Sequence, residues 1–514
     1  LFEIESAVGD VELEALEYVS ALRGHIEGGG DPGGASPPGC STELSPLAAR
    51  LLRAHFVLSR GLVERSMESK LLLLAALSGE HVFFVGPPGT AKSMLARRLA
   101  DVFEGVFFEQ LLTRFTVPEE VFGPISMRAL EADEISRKTA GFLPSANVAF
   151  LDELFKANSS ILNALLTLLN ERAFDNGSAR VRVPLWCAVA ASNELPESPD
   201  LQAVYDRFLI RRAVSPVSDE AAPRLLRAAL GAPFARAAVQ TPRPVGAQRT
   251  PLLTAEDAAG ARREATARVT FPERLLRILA ELRHHLRTEV EPPVLISDRR
   301  LARTVRLLRV AAFAAGATAV RELDLLLLPH VLWDQEPMQA DAVRQWLLDR
   351  FAAVHSRFSL ADARVRQELS HRRLFIQAAL DSAAADLSEL RFTLENQLVE
   401  VLEAQTRLRS QLRNAKPGGG AGVLWLEPAE LAQLANGVLP GLAAAAGQAE
   451  RQLQQVLELL SIAGLQDEAL RRGCLEYLAL RNGLPISESD GASPWAVASA
   501  ARDASADVKG GAPE

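Results

Sequence analysis

The sequence predicts an α/β core, a parallel sheet with helices on both faces, followed by an all-α lid and a helical-hairpin C-terminal domain. Three observations predict this fold class. From about 44 to 215, short apolar runs such as "HVFFV", "VAFL" and "LWCAVAAS" alternate with helical patterns, and strands buried on both faces have this composition. From about 217 to 350 the strand pattern disappears and apolar residues recur at helical spacing, as in "PERLLRILAELRHHL". Beyond 351, apolar residues repeat every seven positions, which is typical of a coiled-coil-like helix.

Changes in composition divide the 514 residues into predicted segments. They are an N-terminal helix and Gly/Pro-rich linker (1–43), the α/β domain (44–216), the helical lid (217–350), the C-terminal helical domain (351–482) and a tail expected to be disordered (483–514). The heptad positions of the C-terminal domain are Leu380, Leu387, Leu394, Val401 and Leu408. They predict a helix from about 374 to 415, roughly 60 Å long, and a return helix follows from about 441 to 463. The sequence leaves open whether this hairpin extends the lid or docks a partner.

Composition excludes several classes of protein. A formal net charge of −8 argues against a general nucleic-acid binder, because affinity for phosphate backbones comes mainly from clustered Lys and Arg. The longest apolar runs are too short to span a bilayer, so no integral membrane segment is expected. Cys40, Cys187 and Cys474 fit neither a disulfide framework nor a zinc spacing, which favours a reducing compartment. Because the chain begins with Leu1 rather than Met, we expect a trimmed start, and the compartment is the cytoplasm, or an organelle stroma or matrix if a transit peptide was removed.

A glycine-rich loop lies between the first predicted strand and a helix. Its residues are Gly86, Pro87, Pro88, Gly89, Thr90, Ala91, Lys92 and Ser93. Such a loop turns backbone N–H groups inward around phosphates, and the helix N-terminus attracts the same anion. We expect Lys92 to reach the β- and γ-phosphates of ATP and Ser93 to bind Mg²⁺. Ala91 stands where a second glycine usually precedes the lysine, and we expect it to keep a negative φ at small cost.

Polar side chains follow two further predicted strands. Asp152 and Glu153 come directly after "VAFL", at the end of a strand where parallel sheets bind ligands. We expect Asp152 to hold Mg²⁺ and Glu153 to act as a general base on the attacking water. Asn193 follows "LWCAVAAS" and is suited to orienting that water or the γ-phosphate.

Arginines cluster at two later positions. Arg207, Arg211 and Arg212 lie next to the last predicted strand, and Arg299 and Arg300 stand at a helix start. A helix N-terminus disfavours a cation unless an anion is bound there, so Arg299 is a candidate phosphate contact.

The order of "GPPGTAKS", "FLDE", "AASNE", "YDRF" and "SDRR" resembles the AAA+ ATPases, specifically the MoxR group and its RavA-like branch, over residues from about 44 to 350. The resemblance implies a hexameric ring with ATP and Mg²⁺ bound between neighbours. It also implies roles: Asn193 as sensor 1, Arg207 as the arginine finger reaching a neighbour's nucleotide, and Arg299 as sensor 2 contacting the nucleotide of its own subunit. An insertion would cover about 117 to 140. A hairpin would lie in "AFDNGSARVRVPL", where the Asn-Gly pair independently predicts a tight turn.

Several functions are compatible with these residues. The leading one is an ATP-driven machine that remodels or chaperones a protein complex, with a protein bearing a von Willebrand A domain as the partner that the resemblance implies. The alternatives are a nucleotide-gated assembly scaffold and the motor subunit of a metal chelatase. RavA-like proteins bind a lysine decarboxylase through a small β-rich module, but "KPGGGAGVLWLEP" is too short for one, so that partner is not expected. The protein client remains unnamed.

Overall fold

A computed structural model of the chain describes residues 45–231, 252–352, 384–413 and 424–463, together with a few isolated positions outside these ranges. The chain divides into two compact units. One unit comprises 35–351 and 410–435, and the other comprises 1–34, 352–409 and 436–514. The predicted linker before 44, the heptad position Leu380 and the tail after 483 lie outside the described residues.

A five-stranded parallel sheet forms the core of the unit that holds 35–351. Its strands are β1 (Val82–Val85), β2 (Phe107–Leu111), β3 (Val148–Asp152), β6 (Cys187–Ser192) and β7 (Ile210–Ala213). The order across the sheet is β2-β3-β6-β1-β7, and every neighbouring pair is parallel. All positions of β1 and β6 are buried, because the centre of the sheet is covered on both faces.

Helices of the same unit flank the strands in sequence. They are α1 (Pro46–Ser59), α2 (Ser66–Ser78), α3 (Lys92–Val102), α6 (Ser159–Glu171), α7 (Pro199–Tyr205) and α8 (Ala222–Gly231), the last of which is mostly exposed. Helix α2 carries the "LLLLAAL" run and is buried from Met67 to Leu77. On the other side of the sheet, Phe83 and Leu151 share one buried cluster with Leu165 of α6.

The predicted hairpin is confirmed as β4 (Ala173–Asn176) paired antiparallel with β5 (Ala179–Arg182). Two short helices, α4 (Pro118–Phe122) and α5 (Met127–Leu130), occupy the region predicted as an insertion. Gly177 takes φ +66° in the hairpin turn, and a Cβ there would meet the Ile135 carbonyl oxygen at 1.6 Å. The turn therefore needs glycine both for its conformation and because the 117–140 segment packs directly on it.

The described part of the region after the sheet consists of helices joined by loops. It contains α9 (Ala255–Arg268), α10 (Glu273–Thr288), α11 (Asp298–Ala314), a 3₁₀ segment (Glu322–His330) and α12 (Met338–Ala352). The later described ranges contain α13 (Ala384–Arg413), α14 (Pro428–Gln433), a π-helical turn (Leu434–Val438) and α15 (Leu439–Ala463). The predicted fold class is therefore confirmed. Leu394, Val401 and Leu408 of the heptad series are buried. Within the described ranges, every helix is too short or too polar to cross a bilayer.

Candidate functional site

The glycine-rich loop connects β1 to α3 and is shaped by two glycines. Gly86 takes φ +153°, and a Cβ there would approach the Val214 carbonyl oxygen to 2.2 Å. The Gly86 N–H donates to the Ser192 carbonyl oxygen at 3.1 Å, which ties the loop to the end of β6. Gly89 takes φ +82°. Left-handed backbone at these positions is what turns a loop around an anion, so the local sequence supplies the phosphate-binding conformation.

Ala91 differs from the expectation. It adopts φ +70° and ψ +19°, the left-handed conformation, immediately before α3. The predicted negative φ is therefore wrong. The chain enters the helix through the conformation that a second glycine would supply without strain, and a residue with a Cβ is disfavoured there by roughly 1–2 kcal/mol. The loop thus carries a local strain that the residue type alone did not reveal.

Substitution of Ala91 by glycine is expected to stabilise the protein. The strain at Ala91 would be relieved, and the greater freedom of glycine in the unfolded chain would offset part of the gain, leaving a net increase of about 0.5–1 kcal/mol in the free energy of unfolding. Urea denaturation measures this change in the free energy of unfolding. Ala100→Gly is a matched control within α3, where the same change should destabilise by about 0.5–1 kcal/mol. Equal destabilisation by both substitutions would contradict the left-handed conformation of Ala91.

Lys92 begins α3 and folds back over the loop. Its Nζ donates to the carbonyl oxygens of Gly86 and Pro87 at 2.7 and 2.8 Å. The side chain is buried, and burial lowers the pKa of Lys92, while the carboxylates of Asp152 and Glu153 oppose this shift. The ammonium therefore lies inside the turn of the loop with uncharged hydrogen-bond partners, next to the acidic pair after β3.

Arg65 supports the loop from outside and was not identified from the sequence. Its Nε donates to the Thr90 carbonyl oxygen at 3.0 Å, and its Nη2 donates to the Ser215 carbonyl oxygen at 2.6 Å. The side chain is buried. Arg65 precedes α2, far from the loop in sequence and outside any motif, so no local pattern could have indicated this role.

The acidic pair and Asn193 meet at the carboxyl ends of β3 and β6, which are neighbours in the sheet. Asn193 Nδ2 donates to Glu153 Oε1 at 2.7 Å, and Lys156 Nζ lies 3.4 Å from Glu153 Oε2. Burial raises the pKa of Asp152, while the N–H of Glu153 and the charge of Lys92 act in the opposite direction. The structure thus brings Lys92, Asp152, Glu153 and Asn193 to one edge of the sheet.

The arginines that the sequence could not distinguish fall into two groups. Arg211 and Arg300 are buried, and each donates to the Trp333 carbonyl oxygen, at 2.8 and 2.7 Å. The Arg211 guanidinium also lies 3.6 Å from the ring centre of Tyr205. Arg212 Nε donates to Glu68 Oε1 at 3.0 Å. These three side chains are committed to contacts within the chain, which leaves Arg207 and Arg299 as the candidates for phosphate contact.

Arg207 and Arg299 lie together in one cleft, at the opposite edge of the sheet from the phosphate loop. The cleft is also lined by His81 and Trp186, which directly precede β1 and β6. Burial and then the charge of Arg299 lower the pKa of Arg207. The phosphate loop follows β1, whose four residues span about 13 Å. Arg299 therefore lies at the amino edge of the strands, away from the phosphate loop of its own chain, and its predicted contact with the nucleotide of its own subunit stays a prediction.

The physical reason is the anchoring of α11. Arg303, one turn after Arg299, pairs with Glu80 at the amino end of β1, with Nε 2.9 Å from Oε2. Arg303 Nη2 also donates to the Arg207 carbonyl oxygen at 2.9 Å. Helix α11 further packs on α2 and α9. These contacts hold the start of α11, and with it Arg299, at the amino edge of the strands.

A parallel sheet with a phosphate loop after β1, an acidic pair after β3 and a helical region after β7 defines a nucleotide-binding protein of the AAA+ class. The family model described as the MoxR domain in MoxR-vWA-beta-propeller ternary systems matches residues 49–246, and an AAA lid domain model matches 274–347. Over these two stretches the chain is a MoxR-type AAA+ domain followed by an AAA lid domain.

Two similar proteins come from Methanocaldococcus jannaschii. Uncharacterized protein MJ0079 is 36% identical over 293 residues, which are 57% of this chain and 72% of the relative. Uncharacterized protein MJ0812 is 38% identical over 277 residues, 53% of this chain and 68% of the relative. The chaperone MoxR1 of Mycobacterium tuberculosis is 28% identical over 193 residues, 37% of this chain and 50% of that protein.

Proposed function

We propose that the protein is an ATP-hydrolysing ring subunit that remodels a protein complex. The observation that carries this proposal is the division of the candidate site between two edges of one sheet. Lys92, Asp152 and Glu153 lie at the carboxyl edge, whereas Arg207 and Arg299 lie at the amino edge. Within one chain these groups cannot act on the same phosphate. A head-to-tail ring would bring the arginines of one subunit to the nucleotide of the next.

The loop and its neighbours fit ATP with Mg²⁺. Lys92 is a buried ammonium bonded to the carbonyls of its own loop, and a phosphate would supply the negative charge that these partners lack. We assign the N–H groups of the loop and Lys92 to the phosphates, and Ser93 and Asp152 to the metal. When bound, Mg²⁺ would neutralise negative charge that develops on the phosphates.

Glu153 is assigned as the general base and Asn193 as the residue that positions it. The hydrogen bond from Asn193 Nδ2 to Glu153 Oε1 fixes the rotation of the carboxylate. A fixed carboxylate accepts the proton of a water held between it and the γ-phosphate, which is the proton transfer that hydrolysis requires. Arg207 and Arg299 of the adjacent subunit would stabilise the charge on the transferred phosphoryl group.

The partner is proposed from the family. The matched MoxR model is described by its occurrence with von Willebrand A and β-propeller proteins, and a chaperone is among the relatives. We therefore propose a hexameric ring that acts with a von Willebrand A protein on a protein client. The narrower RavA-like placement stays a prediction, because the matched model is named for a different ternary system.

ATP hydrolysis per subunit is expected to depend on protein concentration. Dilution separates Arg207 from the neighbouring nucleotide, and a trans-acting arginine contributes about 10³ to 10⁵ in rate. Sedimentation velocity gives the fraction of chains in rings, and phosphate release gives the hydrolysis rate per subunit. Measured over the same dilution series with ATP and Mg²⁺, the two quantities should decrease together. A fully active monomer would rule out the shared site. Ring assembly with ATP but without phosphate release would favour the nucleotide-gated scaffold instead.

A further inference from the structure

The cleft at the amino edge of the sheet is strongly cationic. Its volume is about 820 Å³, and it lies between the sheet and the helices α9 and α11. Glu80 is the single carboxylate among its lining residues, whereas arginines line it from both sides. The whole chain carries a net charge of −8, so this concentration of positive charge is local rather than a property of the surface in general. We call it the arginine cleft.

Part of the arginine lining holds the walls of the cleft in place. Arg172 Nη2 donates to the Gly79 carbonyl oxygen at 2.8 Å, and Arg262 Nη1 donates to the Leu77 carbonyl oxygen at 3.2 Å. These contacts satisfy carbonyl groups at the end of α2. They leave the positive charges uncompensated, because a carbonyl is neutral. Nη1 of Arg172 is buried and has no hydrogen-bond partner among the residues that the structure describes.

Of the remaining lining arginines, Arg303 pairs with Glu80, Arg207 lies 3.6 Å from Asp206, and Arg309 donates to the Val269 carbonyl oxygen. The other three, Arg182, Arg299 and Arg306, are available to a ligand. Arg182 at the end of β5 and Arg306 on α11 are exposed, and no carboxylate in the described ranges pairs with either. Within the described residues, Arg299 donates only to the neutral amide oxygen of Asn170, at 3.2 Å. Arg299 and Arg306 fall on one face of α11, roughly 10 Å apart along the helix, with Arg303, which is paired with Glu80, between them. A single phosphate would engage one or two of these groups, whereas linked phosphates would extend along this face.

We propose that the arginine cleft binds a small polyphosphate anion at a site separate from the phosphate loop. Guanidinium groups pair with phosphate oxygens through two parallel hydrogen bonds, which suits arginine better than lysine for this ligand. Arg182 on the β4–β5 hairpin and Arg306 on α11 would contact it together, so the anion would tie α11 to the hairpin. Because Arg207 and Arg299 line the same cleft, occupancy would also withdraw them from a neighbouring nucleotide.

The test uses the full chain carrying Lys92→Ala, in which nucleotide binding at the loop is removed, at a concentration where sedimentation shows a monomer. Inorganic tripolyphosphate is titrated by calorimetry. The expected result is one equivalent bound per chain. Addition of Arg182→Ala and Arg306→Ala should weaken binding at least tenfold. The matched control adds Arg268→Ala and Arg277→Ala, two exposed arginines of α9 and α10 outside the cleft, and should leave affinity within twofold.

Three results would overturn the proposal. If tripolyphosphate bound only to assembled rings with an intact Lys92, the arginines of the cleft would contact only the nucleotide of the adjacent subunit. If both pairs of arginine substitutions weakened tripolyphosphate binding equally, the binding would depend on the net charge of the chain and not on the cleft. If a glutamate peptide bound as tightly as tripolyphosphate, the cleft would be a binding site for an acidic protein segment. Binding by the monomer does not depend on ring hydrolysis, so this proposal and the proposed function can fail separately.

Discussion

Glu153→Gln is expected to lower the rate of ATP hydrolysis by about 10² to 10⁴ while leaving the affinity for ATP within about threefold. Glutamine keeps an oxygen that can accept from Asn193 Nδ2, the bond that measures 2.7 Å to the carboxylate. The side chain therefore keeps its position and loses only its basicity. Single-turnover hydrolysis and equilibrium binding of ATP measure the two effects separately.

Lys92→Ala is the comparison for Glu153→Gln, because it is expected to weaken the binding of ATP itself. The Lys92 ammonium is the charged group inside the loop, and its removal is expected to weaken ATP binding by at least ~100-fold, since charged hydrogen bonds contribute about 1.5–3 kcal/mol each. Glu104→Gln, an exposed carboxylate after α3, is the control for the glutamate substitution and should change neither quantity. Similar loss of ATP affinity in Glu153→Gln and Lys92→Ala would refute the base assigned to Glu153.

The sheet and its loop were predictable because their signals are local. Strands buried on both faces are apolar at nearly every position, so the continuous apolar runs of β1 and β6 predict buried strands. The hairpin turn was predictable for the same reason, since the left-handed conformation of Gly177 leaves few residue types able to occupy it. In each case the physical requirement falls on adjacent residues.

The positions of the arginines could not be predicted from the sequence, because contacts between distant residues determine them. Arg299 and Arg300 are neighbours of the same type, yet one is exposed in the cleft and the other is buried against the Trp333 carbonyl. The edge of the sheet that Arg299 reaches is set by the pair between Arg303 and Glu80, which are far apart in sequence. The dipole argument marked Arg299 as a residue suited to an anion, and this stays a prediction. It held no information on whose nucleotide supplies that anion.

Mixed rings are expected to restore activity only when the two lesions fall on opposite edges of the sheet. Arg207→Ala and Arg299→Ala subunits, each inactive alone, should both regain hydrolysis when mixed with Lys92→Ala subunits. In such a mixture roughly a quarter of head-to-tail interfaces would pair an intact loop with intact arginines. Each trans-acting arginine contributes about 10³ to 10⁵ in rate, so even this fraction stands well above the background.

The pair that decides the role of Arg299 is Arg207→Ala mixed with Arg299→Ala. Both residues line one cleft, so each interface receives at least one lesion and no activity should return. Arg268→Ala, an exposed arginine of α9 outside that cleft, is the control and should be active alone. If Arg207→Ala and Arg299→Ala complement each other while Lys92→Ala and Arg299→Ala do not, Arg299 contacts the nucleotide of its own subunit. Helix α11 would then have to leave the contact between Arg303 and Glu80 during the reaction, which crosslinking those two positions through paired cysteines would prevent.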